Sequence, residues 1–233
     1  MAEVFFSGQV GRIEGHYRQA YSGDKDAPLA LILHPHPLHG GTMDNKIVYE
    51  LYKRLYQQNF TVLRINFRGV GKSEGKFDNG VGEMIDSSIA LDWLISNNKD
   101  SKAVWVGGFS FGAWIAMQIV MRRPEVIRFF SVAAPYTKYD FSFLSPCPVP
   151  GILIHGDQDS VVDEESVYEF ITKVSAKHSE DKAIDHVIIR GADHYFRDKI
   201  SDLGDAFTNY IIQSLKKDVH NDKNVSGDRI LLK

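Results

Sequence analysis

Short apolar runs alternate along this chain with longer segments whose apolar residues recur at helical spacing. The run Leu29–Leu33 predicts a buried strand, and Ile47, Leu51 and Leu55 mark one face of a helix over 45–57. This pair of elements is then repeated. Further strands are predicted over 62–66, 103–107, 129–133, 151–155 and 186–190, and further helices over 81–95, 111–121, 164–174 and 200–216.

The regular alternation predicts the α/β class: a mostly parallel, twisted sheet with helices on both faces. Segment 4–20, which is interrupted by Gly8, Gly11 and Gly15, predicts an antiparallel ribbon at the N-terminal edge. Ligands of such sheets bind beyond the carboxyl ends of the strands. We therefore expect the chemistry in the loops that follow each strand.

The chain shows no internal repeat, low-complexity tract or Pro/Ser-rich linker before its polar end. We expect residues 1–217 to form a single domain and residues 218–233 to form a polar C-terminal tail. Between the strands that end near Ala133 and begin near Gly151, segment 135–150 is too short for a helical cap domain. This predicts a shallow, open site.

Composition narrows the function classes further. The 233 residues include 27 Lys and Arg against 30 Asp and Glu, so the net charge of −3 offers no basic field for nucleic acid. A single cysteine, Cys147, excludes an internal disulfide and multi-cysteine metal sites. No basic leader with an apolar run and no membrane-spanning apolar stretch is evident. We expect a cytoplasmic protein that acts on neither nucleic acid nor membranes.

A Gly-x-Ser-x-Gly motif, from Gly108 to Gly112, follows the third predicted parallel strand and precedes a helix. At such a sharp turn the serine hydroxyl projects into a site, and the glycines let neighbouring backbone approach closely. The helix that follows contributes its N-terminal dipole and the free N–H of Phe111 where an oxyanion would form. The motif predicts Ser110 as a nucleophile and Phe111 as an oxyanion donor.

A serine nucleophile needs a base, and the base needs an acidic group to orient it. His194, in the loop after the last strand, is the predicted base. Asp157 and Asp159 both follow the strand that ends at His155, so either is a candidate acid. Asp159 is favoured because an aspartate close behind a strand often caps the turn, whereas a later one can reach the histidine. His155 itself is interpreted as a hydrogen-bonded histidine at a strand end.

The loop after the first parallel strand begins His34-Pro35-His36-Pro37-Leu38-His39. A second oxyanion donor is expected here. Because prolines have no N–H, the first available donor is the backbone of His36, with Leu38 next in line. Prolines on both sides of His36 would stiffen its amide, which favours stabilisation of a developing charge.

Two other motifs in the chain suggest different functions. His34, His36 and His39 have the H-x-H-x-x-H spacing of metallo-hydrolases such as the metallo-β-lactamase family, although Leu38 stands where that family has aspartate and the βα order does not suit its fold. Gly71-Lys72-Ser73 is similar to part of a phosphate-binding loop. However, Asn66 occupies the position of that loop's first glycine and no helix follows directly. Nucleotide binding is therefore not expected.

Taken together, the motifs of residues 29–214 resemble the α/β-hydrolase superfamily. The matching segments are the loop 34–45, Asn66-Phe67-Arg68-Gly69 with Gly71-x-Ser73-x-Gly75, the turn 108–112, His155-Gly156-Asp157-x-Asp159-x-x-Val162 and Asp193-His194. The resemblance implies a triad of Ser110, Asp159 and His194. Within the superfamily, the loop 34–45 resembles small bacterial hydrolases related to dienelactone hydrolase. Those enzymes use a cysteine nucleophile, so the serine at position 110 does not imply activity on dienelactones.

We therefore expect a serine hydrolase of carboxylesterase type that cleaves a small-molecule ester, thioester or lactone through an acyl-enzyme, without a cofactor. The alternatives are a metal-dependent hydrolase that uses the three histidines and a non-catalytic binding protein that kept the fold. Several aromatic residues near the site in sequence could line a pocket or belong to the core: Phe109, Phe111, Trp114, Tyr136, Tyr195 and Phe196.

Overall fold

A sheet of eight strands forms the centre of the computed structural model, which describes residues 1–144, 146–175 and 184–227. The strand order is β1-β2-β4-β3-β5-β6-β7-β8. Strands β3 to β8 are parallel, whereas β2 is antiparallel to both β1 and β4. The predicted fold class and its antiparallel edge are confirmed. The strands are β1 Ala2–Ser7, β2 Arg12–Arg18, β3 Leu29–Leu33, β4 Thr61–Ile65, β5 Val104–Phe109, β6 Val126–Val132, β7 Gly151–Gly156 and β8 Ile184–Ile189.

Helices cover both faces of this sheet. The described helices are α1 Lys46–Gln57, α2 Val81–Ser96, α3 Phe111–Val120, α4 Glu164–Ser175 and α5 Ile200–Gly227. Successive residues of β3 point to opposite faces, so Leu31 packs in the core beneath α2 and α3 while Ile32 packs in the core beneath α1 and α5. This two-sided burial explains why β3 is apolar throughout rather than alternating.

The strand order reverses direction between β3 and β5. From β3 the chain crosses to β4 on one side, and β5 then pairs with the other side of β3. The loops that leave the carboxyl ends of β3 and β5 therefore diverge and open a crevice, which is where ligands of such sheets bind. The loop after β3 begins at His34, and the loop after β5 holds Ser110.

A buried ion pair attaches the loop after β4 to α2. The Arg68 guanidinium donates to the Asp86 carboxylate at 2.7 Å and to the side-chain oxygen of Gln9 at 3.1 Å. Both charged side chains are almost fully buried, at 3% and 0% exposure. Gly82 leaves room for the guanidinium, because a Cβ there would lie 2.0 Å from Arg68 Nη1. The pair thereby connects the N-terminal ribbon, this loop and α2.

Helix α5 continues to Gly227, whereas the sequence pattern predicted that it ends at 216. The Asp218 carboxylate accepts hydrogen bonds from the Arg128 guanidinium of β6, which holds the chain against the sheet just beyond the predicted end. The predicted tail therefore begins as helix. Its last residues, 228–233, lie outside the described residues.

The described residues between β6 and β7 form no cap over the sheet. Apart from residue 145, which is outside the described ranges, its secondary structure is one short 3-10 turn over Ser142–Leu144. None of the helices in the described part of the chain is both long and apolar enough to cross a membrane.

Candidate active site

Ser110 occupies the tight turn between β5 and α3, with a backbone φ of 54° and ψ of −119°. Residues other than glycine rarely adopt a positive φ, and such strain is typical of functional positions. A Cβ on Gly108 would lie 2.6 Å from the carbonyl oxygen of Leu33, and one on Gly112 would lie 2.3 Å from the same atom. Only glycine fits at either position, so the turn can pack directly against β3.

The loops after three strands bring Ser110, His194 and Asp159 together. His194 Nε2 lies 3.1 Å from Ser110 Oγ, and His194 Nδ1 lies 2.8 Å from Asp159 Oδ2. His194 is 5% exposed and Asp159 is 8% exposed. With Nδ1–H donating to the carboxylate, Nε2 is left to accept the serine proton. The arrangement has the geometry that general-base activation of a serine requires.

The Asp159 carboxylate is held by donors on both oxygens. Its Oδ1 accepts the backbone N–H groups of Val161 at 2.7 Å and Val162 at 3.0 Å. Its Oδ2 accepts from His194 and also lies 3.1 Å from His155 Nε2. Burial acts to raise the pKa of Asp159, but the hydrogen bonds from His155 and His194 outweigh burial and lower that pKa well below its usual range. Asp159 is therefore ionised at neutral pH.

Asp157, the other candidate acid, faces a different partner. Its Oδ1 accepts the backbone N–H of Gly191 at 2.6 Å, and its Oδ2 lies 3.3 Å from Arg190 Nη1. It thus joins the turns after β7 and β8 at the surface. Of the two aspartates, Asp159 is the one beside His194.

The backbone N–H groups of His36 and Phe111 have no hydrogen-bond acceptor among the described residues. The Leu38 N–H, in contrast, donates to His36 Nδ1 at 3.2 Å. The candidate oxyanion donors near Ser110 are thus the two that the sequence favours. Gly41 packs tightly against the start of this loop, because a Cβ on Gly41 would lie 2.0 Å from the carbonyl oxygen of Pro35.

His34 is fully buried beneath this loop. Its Nε2 accepts the Phe67 N–H at 3.0 Å, and its Nδ1 donates to the carbonyl oxygen of Pro35 at 2.6 Å. That carbonyl belongs to the same peptide group as the His36 N–H, so the imidazole fixes the plane of the candidate oxyanion donor. Burial lowers the pKa of His34 from 6.5 to about 3. The sequence suggested this residue only as a metal ligand.

The geometry does not favour the metal alternative. Within the described part of the chain, the ligand atoms of His34, His36 and His39 do not converge on one point. Both ring nitrogens of His34 already have protein partners. Among the described residues, the potential ligands that do converge are Glu3, Glu14 and His16, which lie on the β1–β2 ribbon.

Lys72 and Ser73, in the segment that resembled a phosphate-binding loop, form hydrogen bonds and an ion pair with other residues of the protein. The Lys72 N–H donates to Glu14 Oε2 at 2.7 Å, and the Lys72 ammonium pairs with Glu3. Ser73 Oγ donates to the carbonyl oxygen of Asn66 at 2.7 Å. These contacts agree with the interpretation of the segment as a tight structural turn.

A pocket of about 200 Å³ opens above Ser110. Three of the six predicted aromatic residues line it, namely Phe109, Phe111 and Tyr195, together with Tyr139. A larger depression of about 490 Å³ adjoins it at Asn45 and Tyr195 but contains none of Ser110, Asp159 and His194. The small pocket, which Ser110 and His194 line, is therefore the candidate substrate pocket.

Lys138 places a positive charge at the rim of the small pocket. Lys138, His36 and His39 line it, and no aspartate or glutamate does so among the described residues. Burial lowers the pKa of His36, and the nearby His39 and Lys138 lower it further. The charge of this pocket lining therefore differs from that of the chain as a whole, which is slightly acidic.

Comparisons with known proteins agree with this architecture. Residues 36–147 match the family model of the S33 serine aminopeptidases. An uncharacterized protein of Rickettsia prowazekii is 50% identical over 98% of this chain and 96% of its own length. An Agrobacterium tumefaciens protein of unknown function, provisionally assigned to the α/β hydrolases, is 46% identical with a TM-score of 0.89, covering 93% of this chain and 97% of its own. The chain belongs to the α/β-hydrolase superfamily.

A solved structure from Xanthomonas campestris, described as an α/β serine hydrolase without a lid, is 30% identical with a TM-score of 0.80 and covers 91% of this chain and 94% of its own. The present α/β hydrolase likewise has only a short turn between β6 and β7 within the described residues. The narrower resemblance to dienelactone hydrolase stays a prediction.

His155 is a second residue at the site, after His34, whose role the sequence did not predict. His155 is hydrogen-bonded at the end of β7, as its sequence position suggested: its Nε2 lies 3.2 Å from the carbonyl oxygen of Val162 and also 3.1 Å from the Asp159 carboxylate. His155 and Asp159 are four residues apart across the turn at Gly156. That spacing is the one signal in the sequence that could have pointed to the contact.

Proposed function

We propose that this α/β hydrolase is a serine esterase of carboxylesterase type, which hydrolyses small esters, thioesters or lactones. The observation that carries the proposal is the placement of one imidazole between two groups. His194 lies 3.1 Å from the Ser110 hydroxyl and 2.8 Å from the Asp159 carboxylate. The buried Cys147 suits a reducing cytoplasm, which we propose as the location.

In this mechanism Ser110 Oγ attacks the carbonyl carbon of the substrate while its proton passes to His194 Nε2. The ionised Asp159 stabilises the resulting imidazolium. The N–H groups of Phe111 and His36 donate to the oxyanion of the tetrahedral intermediate. His194 then protonates the leaving alkoxide or thiolate as its bond to the carbonyl carbon breaks. Water cleaves the acyl-enzyme by the same route and releases a carboxylic acid.

The composition of the pocket supports ester substrates over the N-terminal peptides that the name of the matching family model suggests. An aminopeptidase must bind the α-ammonium group of its substrate, and a carboxylate is the natural partner for that cation. The described lining offers no carboxylate and presents Lys138 instead. A volume of about 200 Å³ further favours a short acyl group.

The experiment compares purified wild-type protein with Ser110→Ala on p-nitrophenyl acetate, butyrate, octanoate and laurate. Aminoacyl p-nitroanilides test the aminopeptidase alternative, and a chelator tests the metal-dependent one. We expect hydrolysis of the short esters, loss of activity in Ser110→Ala and no effect of the chelator. Faster cleavage of the anilides than of the esters, or full activity in Ser110→Ala, would refute the proposal.

A further inference from the structure

Two imidazoles share one oxygen of the Asp159 carboxylate. His194 Nδ1 lies 2.8 Å from Oδ2, and His155 Nε2 lies 3.1 Å from the same atom. His155 is 2% exposed, so water does not compete for the contact. A serine hydrolase needs only the first of these bonds to orient its base. The contact between His155 and Asp159 is therefore not explained by the orientation of the base alone.

The partners of His155 fix the direction of its hydrogen bond. Its Nε2 lies 3.1 Å from the Asp159 carboxylate and 3.2 Å from the carbonyl oxygen of Val162. Both partners are acceptors, since Asp159 is ionised, so Nε2 must carry a hydrogen. His155 thus donates to the Val162 carbonyl and shares this N–H with the Asp159 carboxylate, whose pKa it lowers. The same N–H ties the loop of Asp159 to the end of β7.

A second donor changes how strongly the carboxylate acts on His194. The negative charge of Asp159 stabilises the imidazolium form of His194, and a donor on the same oxygen draws part of that charge away. We propose that His155 is a positioning residue of the triad, which holds the Asp159 carboxylate in place and weakens its hold on the proton of His194. The acid limb of the pH–rate profile should then begin at lower pH than it would with an unshared carboxylate. This inference rests on the proposed serine-hydrolase mechanism.

Other titratable groups around the pair come from several elements. Tyr136, after β6, has its ring centroid 6.4 Å from that of His155, and burial raises its pKa, so it stays neutral while histidines titrate. Asp163 is occupied at the start of α4, where its carboxylate accepts from Ser166. Across the pocket lie Tyr195, His36, His39 and Lys138. All of these groups are unchanged in the variants compared below, so their contribution cancels in the comparison.

The test is the pH dependence of kcat/KM on p-nitrophenyl butyrate for wild type, His155→Phe and His155→Gln. Phenylalanine keeps the ring but removes the N–H, whereas glutamine places an amide N–H near the position of Nε2. We expect His155→Phe to move the midpoint of the acid limb upward by about half a pH unit to one unit. His155→Gln should stay within about 0.2 unit of wild type. A midpoint in His155→Phe equal to that of wild type overturns the proposal, even if kcat falls.

A second measurement needs no variant and no turnover. Nuclear magnetic resonance of the intact protein with isotope-labelled histidine reports which ring nitrogen of His155 is protonated. We expect a slowly exchanging proton on Nε2, and an unprotonated Nε2 overturns the proposal even if His155→Phe does not fold. An inactive wild-type protein with this Nε2 proton would count against the esterase function instead, so the two failures are distinguishable.

Discussion

His34 Nε2 lies 3.0 Å from the backbone nitrogen of Phe67, and this hydrogen bond connects the loops that leave β3 and β4. Because Nε2 accepts and Nδ1 donates to Pro35, the imidazole is neutral and has one tautomer. Protonation of Nε2 would place two hydrogens against each other in a fully buried site. The loop that carries the His36 N–H therefore rests on a histidine that must stay uncharged.

The pH dependence of stability should reveal this buried imidazole. Burial lowers the pKa of His34 from 6.5 to about 3, so the folded state disfavours the proton that the unfolded chain accepts. The contribution is fully present above about pH 6.5 and is lost progressively as the pH falls towards 3, with about 2 kcal/mol lost by pH 5. Urea unfolding of wild type and His34→Gln at several pH values measures it.

The exposed His39 provides a control for this measurement. His39→Gln should keep the wild-type decline in the free energy of unfolding, whereas His34→Gln should flatten it. Equal declines in wild type and His34→Gln would show that His34 is not the group responsible.

The roles of the two neighbouring aspartates can be separated by matched substitutions. Asp159→Asn should lower kcat by about three to four orders of magnitude, because an amide cannot hold the His194 tautomer or stabilise its imidazolium. Asp157→Asn should change kcat by less than about threefold, because Asp157 only joins two surface turns. Steady-state kinetics on a short ester would distinguish them. A large loss in Asp157→Asn with little effect in Asp159→Asn would reverse the assignment.

Removing the buried carboxylate of Asp86 should destabilise the fold strongly. Asp86 is fully buried against Arg68, and its replacement by alanine would leave the buried guanidinium with only Gln9 and the exposed Asp78, at a cost of about 3–5 kcal/mol. Asp92→Ala is the matched control, because Asp92 pairs with Arg123 at the surface, where such a pair contributes about 1 kcal/mol or less. Chemical denaturation compares the two. Similar small losses in both variants would contradict the structural role of Arg68 and Asp86.

The positive rim of the pocket predicts discrimination against cationic substrates. Lys138 lines the pocket, and no described carboxylate lines it to offset the charge. An acetate ester of choline should therefore have a lower kcat/KM than its neutral carbon isostere, by at least about threefold at low salt. Lys138→Met should narrow the gap and Lys138→Glu should reverse it. A preference of the wild type for the cationic ester would show that other groups set the charge selectivity.

The local sequence was sufficient to predict the strands that helices cover on both faces of the sheet. Leu29–Leu33 is apolar because both faces of β3 are covered, and its predicted bounds match the structure. The turn at Ser110 was also predictable, since glycines are required where the turn touches the backbone of β3. The end of α5 was not predictable, because polar residues continue the helix and the contact between Asp218 and Arg128 is distant in sequence.

The site was harder to predict where two residues share a loop. Asp157 and Asp159 follow the same strand, and their positions in the loop favour Asp159 but leave Asp157 as an alternative. The pairing of β7 with β8 brings this loop beside that of His194. That pairing places Gly156 beside Ile189, so Asp157 reaches the turn at Gly191 and Asp159 continues to the imidazole. The role of His34 depends on a similar contact between loops, with the Phe67 N–H, which no local pattern encodes. The contact of His155 lies within one loop, and its four-residue spacing from Asp159 is the local sign of it.

Covalent labelling with a fluorophosphonate, located by peptide mass spectrometry, tests the central claim most directly. The reagent reacts with a serine whose hydroxyl is activated by a neighbouring base. We expect the label on Ser110 of the wild type, no label on Ser110→Ala, and a labelling rate in His194→Gln that is lower by about three orders of magnitude. Folded wild-type protein that takes up no label, or a Ser110→Ala variant labelled as fast as wild type, would contradict a serine-hydrolase mechanism.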